Sequence, residues 1–384
     1  MFTPPPSKLP DVGTTIFAVM SARAAEAGAI NLAQGFPDFP PPPGLTHAMD
    51  EAMRDGRNQY APLHGLPALR EAVAERLATA QGVRPDPDRE ITVTSGATEA
   101  LFDAIQAVVR PGDEVVVLTP AYDAYGPAVT LAGGRVVPVS LRRDDFRPDI
   151  DALREAISPR TRLVILNSPH NPTGAVWPRT DLEAIAALLA DGDTMVLSDE
   201  VYEHIAFTDE GHVSALGVPG LAERAFVVSS FGKTYHCTGW KVGYCIAPPA
   251  LTTEFRKVHQ FVTFATHTPS QAAFAAYMQA APHHADELAA FYRDKRDRLL
   301  GWLADSRLAT TPGSGTYFQL VDYSAVSNEP DTDFCERLIR DAGVAAIPLS
   351  PFYADPPSDL RQVRLCFAKQ DATLDMAGER LCRL

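Results

Sequence analysis

The stretch Ser229-Ser230-Phe231-Gly232-Lys233-Thr234, with Gly239-Trp240-Lys241-Val242-Gly243-Tyr244 close behind it, decides how this chain is read. It places an amine nucleophile, Lys233, between the hydroxyl of Ser230 and a second cation, Lys241. A free lysine amine condenses with a carbonyl. A hydroxyl and a cation hold a phosphate, and glycines let the backbone approach a ligand closely. These are the parts for holding an aldehyde cofactor that carries a phosphate. The plain alternative is an exposed lysine in a glycine turn, but the neighbours here are small, hydroxylated or aromatic instead of charged. Burial beside another cation lowers a lysine's pKa and supplies the free amine near neutral pH.

Working outward, Ala225 to Val228 and Val242 to Ile246 read as strands with no long helix between them, so one of the two is expected to run antiparallel. From about residue 66 the chain alternates between helical and extended patterns. Leu66, Leu69, Val73 and Leu77 mark a helix, and Ile91 to Thr94 a strand. Ser95-Gly96-Ala97-Thr98-Glu99 opens the next helix, which ends at Arg110-Pro111-Gly112. Strands follow at 114–118, 135–139, 163–166 and 195–197, separated by helices at 123–132, 150–157 and 180–190. Several of these strands are apolar throughout, as expected when helices cover both faces of a mostly parallel sheet. The fold class is therefore α/β.

After about residue 280 the pattern changes. Leu288, Tyr292, Leu299 and Leu303 line one face of a long helix, followed by a strand at 316–321, a helix at 332–342 and strands at 344–347 and 361–367. The expected organisation is an N-terminal segment (1–44) packed with a small α+β domain (281–384), and a large cofactor-binding domain (45–280).

With 384 residues, 46% hydrophobic and 21% charged, the chain can bury a large core. Asp+Glu 48 against Lys+Arg 34 gives a formal charge of -14, which argues against nucleic acid or an anionic membrane as the main partner. Cys237, Cys245, Cys335, Cys366 and Cys382 form no CxxC pair and no metal-ligand spacing. An odd, scattered set suits a reducing, cytoplasmic compartment.

Four further groups fit the same cofactor, and a fifth fits its substrate. Ser95-Gly96-Ala97-Thr98 stands where a strand enters a helix, so its free N–H groups and the helix dipole face an anion. Asp199 ends an apolar strand, where a carboxylate needs a cation; a protonated pyridine nitrogen is such a partner, and keeping it protonated makes the ring an electron sink. Tyr202 and Asn171, the latter in Asn171-Pro172-Thr173-Gly174, can reach the ring's phenolic oxygen from opposite sides. Tyr122 lies at the carboxyl end of a strand, where ligands bind in open α/β sheets. Arg364, inside Val363-Arg364-Leu365-Cys366-Phe367, needs an anion, and a substrate α-carboxylate fits. Each has a bland alternative: a helix cap for Asp199, a turn for Asn171, rim packing for Tyr122, an internal salt bridge for Arg364. The Asn171–Pro172 bond is expected to be cis, since cis prolines occupy tight functional turns.

These motifs resemble those of the class I/II aminotransferases of the fold-type-I pyridoxal-phosphate transferases, from about residue 30 to the end. Gln34-Gly35-Phe36-Pro37-Asp38-Phe39-Pro40, Asn58-Gln59-Tyr60, Lys233 to Tyr244 and Arg364 to Lys369 resemble the kynurenine/glutamine transaminase branch. Ser229 to His236 and Gly343 to Ser350 are similar to the bacterial methionine aminotransferases within it. The resemblance implies a large domain with a seven-stranded sheet and pyridoxal 5'-phosphate bound to Lys233 as a Schiff base. It pairs Asp199 with the pyridinium nitrogen, and Tyr202 and Asn171 with the phenolic oxygen. It gives the phosphate to Ser230, Lys241 and the amides of Ala97 and Thr98; Gly96 is expected to bind the cofactor as well, and Tyr122, from its place at the strand end, to stack on it. It makes the enzyme a homodimer in which Tyr60 reaches the neighbour's phosphate. Gly35, Phe36, Asn171 and Arg364 would bind the substrate. Lys241 departs from many relatives, which carry arginine there. The implied reaction is ping-pong transfer of an amino group to a 2-oxo acid, with methionine and aromatic amino acids as donors because Phe36, Tyr122 and Tyr202 are aromatic and rings contact sulfur well. A cysteine-conjugate β-lyase is the alternative on the same fold.

Overall fold

The computed structural model describes residues 2–3 and 5–384. A helix at Ile16–Ala27 starts on the Thr15 hydroxyl, which accepts from the Ala18 amide (3.3 Å), and ends on Gly28 in the left-handed region. It buries Met20 and Ala24 among Leu288, Tyr292, Val344 and Phe367. The short strand β1 (Ile30–Asn31) then runs toward the functional site.

Seven strands form the central sheet: β2 (Ile91–Thr94), β3 (Glu114–Thr119), β4 (Arg135–Ser140), β5 (Thr161–Asn167), β6 (Met195–Asp199), β7 (Ala225–Ser230) and β8 (Gly243–Ile246). Their order is β2-β8-β7-β6-β5-β3-β4. Only β8 runs opposite to the other six, as expected from the missing helix between β7 and β8. The continuous apolar runs have the anticipated cause. In β3, Val115 and Val117 pack against Leu101 and Ile105 on one face, while Val116 and Leu118 pack against Leu182 and Trp177 on the other.

Register places the strand ends side by side. Asn167 faces Asp199, Asp199 faces Val228, Ser230 faces Gly243 and Gly243 faces Thr94. Four distant parts of the sequence thus deliver residues to one edge of the sheet, the edge at which the parallel strands end.

The remaining strands are β9 (Phe318–Asp322), β10 (Val344–Ala345), β11 (Ile347–Pro348) and β12 (Gln362–Cys366). β12 lies between β11 and β9, antiparallel to both, and β10 pairs with β1 in parallel. The single strand expected at 344–347 is therefore two, which join different sheets. The helix expected at 332–342 is α-helical only over Asp331–Arg337 and widens to a π turn at Leu338–Ala342.

Helices at Pro43–Arg54, Pro249–Val262 and Thr268–Ala280 were not expected from the pattern. Each begins with proline in its first turn, where the ring is preorganised and the missing N–H costs nothing. All five cysteines are free, and no helix among the described residues is long and apolar enough to cross a membrane.

Candidate active site

At the sheet edge lies a cavity of about 290 Å³ bounded by residues from both groups of strands. Its anion-binding end is the start of the helix Gly96–Val108. Gly96 is left-handed (φ 76°), and a Cβ there would sit 3.3 Å from Lys241 Nζ. The cation is packed directly against the helix terminus, whose first N–H groups have no partner within the helix. Gly243 is equally constrained, since a Cβ would meet the Ser229 carbonyl at 2.7 Å and the Ala97 amide at 2.8 Å. Lys241 itself is held left-handed (φ 54°), a conformation that costs a non-glycine residue roughly 1–3 kcal/mol. Ser230 and Thr238 complete this wall.

A buried charge network supports the helix from behind. Glu99 accepts from the Ser95 amide and from His259 Nδ1 (2.7 Å), while His259 Nε2 meets the Leu63 carbonyl (2.8 Å). Both ring nitrogens face acceptors. Burial lowers the imidazole's pKa, but Asp103 and Glu99 outweigh it and raise it to about 9. A charged His259 thus balances carboxylates that would otherwise be stranded in the core.

At the opposite end Asp199 is buried. Tyr125 donates its hydroxyl to Oδ2 (2.7 Å), the Val201 amide approaches Oδ1 (3.3 Å) and Asn167 Nδ2 holds the Asp199 carbonyl (2.8 Å). Burial pushes the carboxyl up to about 6, against the lowering effect of Tyr125, the Val201 amide and Lys233. The residue caps a turn, not a helix. Tyr125 and Asn167 were missed in the sequence. The sequence carried little signal for them: only the β5–β6 register sets Asn167 beside Asp199, and Tyr125 reaches Asp199 across 74 residues.

Arg364 is buried in β12. Nη1 donates to Asn171 Oδ1 (2.7 Å), Nη2 donates to the Ala33 carbonyl (3.2 Å), and Nε has no partner. Its guanidinium lies 3.8 Å from the centre of the Phe318 ring, with Phe17 and Phe352 slightly farther off. None of the polar partners it has among the described residues is a carboxylate, so the internal salt bridge is not formed. Burial lowers its pKa to about 10. Asn171 follows the expected cis course into Pro172. Its amide oxygen is committed to Arg364, which leaves its NH₂ free to donate into the cavity.

Lys233 sits in a single helical turn (Phe231–Thr234) after β7. Its amine donates to Tyr317 Oη (3.0 Å) and approaches the Gly35 carbonyl (3.4 Å). Burial, with help from Arg364 and Lys241, lowers its pKa to about 8. Tyr317 is a third residue the sequence did not single out.

Gly35, Gly96, Ala97, Thr98, Tyr122, Asn171, Asp199, Tyr202, Ser230, Lys233, Lys241 and Arg364 all border the cavity. Phe36 and Tyr60 do not. The Phe36 side chain is 43% exposed, under Lys369 Nζ (5.0 Å), and Tyr60 is 82% exposed with its ring edge-on to Phe264. The residues present fit pyridoxal phosphate. A helix terminus with Ser230 and Lys241 suits its phosphate, and the buried Asp199, without a cation bonded to it, suits a protonated ring nitrogen. The free NH₂ of Asn171 and the Tyr202 hydroxyl suit its phenolic oxygen.

Comparison with known proteins gives the same answer. The sequence model described as aminotransferase class I and II matches residues 27–381. The chain is 54% identical to a methionine aminotransferase of Escherichia coli (strain K12) over 381 residues, 99% of this chain and 98% of that one. It is 41% identical over 385 residues to a probable N-succinyldiaminopimelate aminotransferase of Mycobacterium tuberculosis, covering 98% and 97%. The crystal structure of YbdL from Escherichia coli, identified with a methionine aminotransferase function, superposes over 100% of both chains with a TM-score of 0.96 and 52% identity. The chain belongs to the class I and II aminotransferases, enzymes that work with pyridoxal phosphate.

Proposed function

We propose that this aminotransferase takes methionine and aromatic amino acids as amino donors. The observation that carries the reading is Arg364: a buried guanidinium that borders the cavity beside Phe17 and Phe318 and has no carboxylate partner among the described residues. It offers one cation for the α-carboxylate and aromatic surface for the side chain. The other cations bordering the cavity, Lys233 and Lys241, have the amine chemistry and the phosphate to serve. A donor with a second carboxylate finds no further cation there among the described residues. The methionine aminotransferase similarity points the same way.

The geometry supports a role for each residue. Pyridoxal phosphate, when bound, supplies an aldehyde that takes up the amino group and a cationic ring that makes the α-proton acidic. Arg364 and Asn171 fix the carboxylate and so the direction of the Cα–H bond. Lys233, neutral in part near its pKa of about 8, takes that proton and returns it one carbon away. Asp199 keeps positive charge on the ring side of the site, and Tyr125 holds the carboxylate in place. Ser230, Lys241 and the first amides of the helix anchor the phosphate. Because the amino group passes in two half-reactions, initial-rate plots should be parallel.

The test is a panel of donors against several 2-oxo acids. Methionine or phenylalanine should exceed aspartate by at least about tenfold in kcat/KM, the size expected when a charge is left unpaired. Faster turnover of aspartate or of N-succinyldiaminopimelate would refute the assignment.

We also infer a homodimer. Tyr60 is exposed with its ring against Phe264 (50% exposed), in a segment that also exposes Phe261 (84%) and Val262 (50%), apolar surface suited to a second copy. Sedimentation at micromolar concentration should give twice the chain mass. Tyr60→Ala should then weaken cofactor retention, and a monomer with full activity would exclude a shared site.

A further inference from the structure

The contact between Lys233 and Tyr317 carries a role beyond the assignments above. Tyr317 is buried, packed edge-on to Tyr202 (5.1 Å between ring centres) and against Phe318 (4.9 Å). Its hydroxyl donates to the Gly35 carbonyl (2.6 Å), so toward Lys233 it can only accept. The backbone is built to hold it there. Thr316, just before it, is left-handed (φ 63°), its amide bonded to the Ile205 carbonyl (2.8 Å). Gly315 is wedged so tightly that a Cβ would meet Val176 at 2.5 Å and the Ile205 carbonyl at 2.8 Å. Gly35 allows no side chain either, since a Cβ would meet Phe318 at 2.8 Å. A non-glycine residue kept left-handed and two glycines without room for a methyl mark a fixed geometry.

The amine of Lys233 therefore meets two acceptors, Tyr317 Oη and the Gly35 carbonyl, and no carboxylate is hydrogen-bonded to it among the described residues. Two acceptors match the two N–H bonds of a neutral amine and leave its lone pair free. An ammonium would carry a third N–H without a partner.

We propose that Tyr317 is a positioning residue that docks the unbound amine of Lys233 as a neutral base, aimed at the cavity. This rests on the reading of Lys233 as the lysine that carries the cofactor. Two steps use the docked amine. In cofactor capture the neutral amine would offer its lone pair to the aldehyde of pyridoxal phosphate, its two N–H hydrogens leaving with the carbonyl oxygen as one water while a C=N bond replaces C=O. In the proton transfer Nζ takes the α-proton while the electron pair of the C–H bond stays on carbon.

The test uses the full-length Tyr317→Phe protein, which keeps the ring and loses only the hydroxyl. Covalent capture of pyridoxal phosphate by the cofactor-stripped protein should slow at least tenfold, followed by absorbance. The affinity for pyridoxamine phosphate, which cannot join to Lys233, should stay within twofold. With the loaded enzyme, the single-turnover rate with methionine should fall at least tenfold, with little change in apparent affinity. Its α-deuterium isotope effect should rise as proton transfer becomes limiting. Capture at the wild-type rate, an unchanged isotope effect, or parallel loss of pyridoxamine phosphate affinity would each overturn the proposal. Borohydride reduction of the loaded variant, with peptide mapping, separates the two readings. A label on Lys233 leaves the outcome to Tyr317, whereas a label elsewhere removes the cofactor lysine itself.

Discussion

Lys233→Ala protein should lose transamination by about 10⁴-fold or more, the upper range for a positioned acid–base group, and should no longer be labelled at this position by borohydride. Lys233→Arg distinguishes charge from basicity. The guanidinium keeps the cation but stays protonated at all working pH values, so it neither attacks an aldehyde nor accepts a proton. Both variants should therefore be equally inactive. The wild-type amine, with its pKa lowered to about 8 by burial and the neighbouring Arg364 and Lys241, makes the donor half-reaction accelerate as pH rises toward that value. An enzyme with the arginine variant's turnover within tenfold of wild type would show that the base lies elsewhere.

Asp199→Asn should move activity and stability in opposite directions. Activity should fall about 10²–10³-fold, as for loss of one preorganised electrostatic partner, because a neutral amide does not hold the ring nitrogen protonated. The cofactor-stripped protein should gain stability. Burial raises the folded-state pKa of this carboxyl from 3.8 to about 6, so its favourable contribution is complete below 3.8 and disappears as pH rises through about 6. Full ionisation then costs roughly 3 kcal/mol relative to a neutral side chain. Thermal melts of the two cofactor-stripped proteins should coincide near pH 4 and separate by several degrees at pH 8, with asparagine the more stable. Cofactor addition should reverse that order. Equal melting temperatures at pH 8 would mean that Asp199 is already compensated within the chain.

Much of this site was legible in sequence because its chemistry is concentrated in short runs. Ser230, Lys233 and Lys241 lie within one strand–turn–strand unit, Asp199 stands at the end of an apolar strand, and Arg364 interrupts one. A charge in an apolar run is conspicuous without coordinates. Tyr125, Asn167 and Tyr317 were not legible, because their meaning comes from pairing. Asn167 acquires its role from the β5–β6 register and Tyr317 from a contact spanning 84 residues. The sheet was readable for the same reason as the charges, through uninterrupted Val, Ile and Leu segments. The helices at Pro43 and Pro249 were not, since proline read as a break where it serves as a start. The helix at residues 16–27 lay behind a proline-rich leader.

The residues proposed for the bond chemistry and those proposed to meet the donor's side chain come from different parts of the fold. Lys233, Asp199 and Asn171 lie at or just after the ends of central-sheet strands, whereas Phe17 comes from the first helix and Phe318 from β9. Drift at the second set can therefore redirect the catalyst toward new nitrogen sources while its proton-handling parts stay untouched. An architecture of that kind lends itself to diversification by exchange of its outer walls.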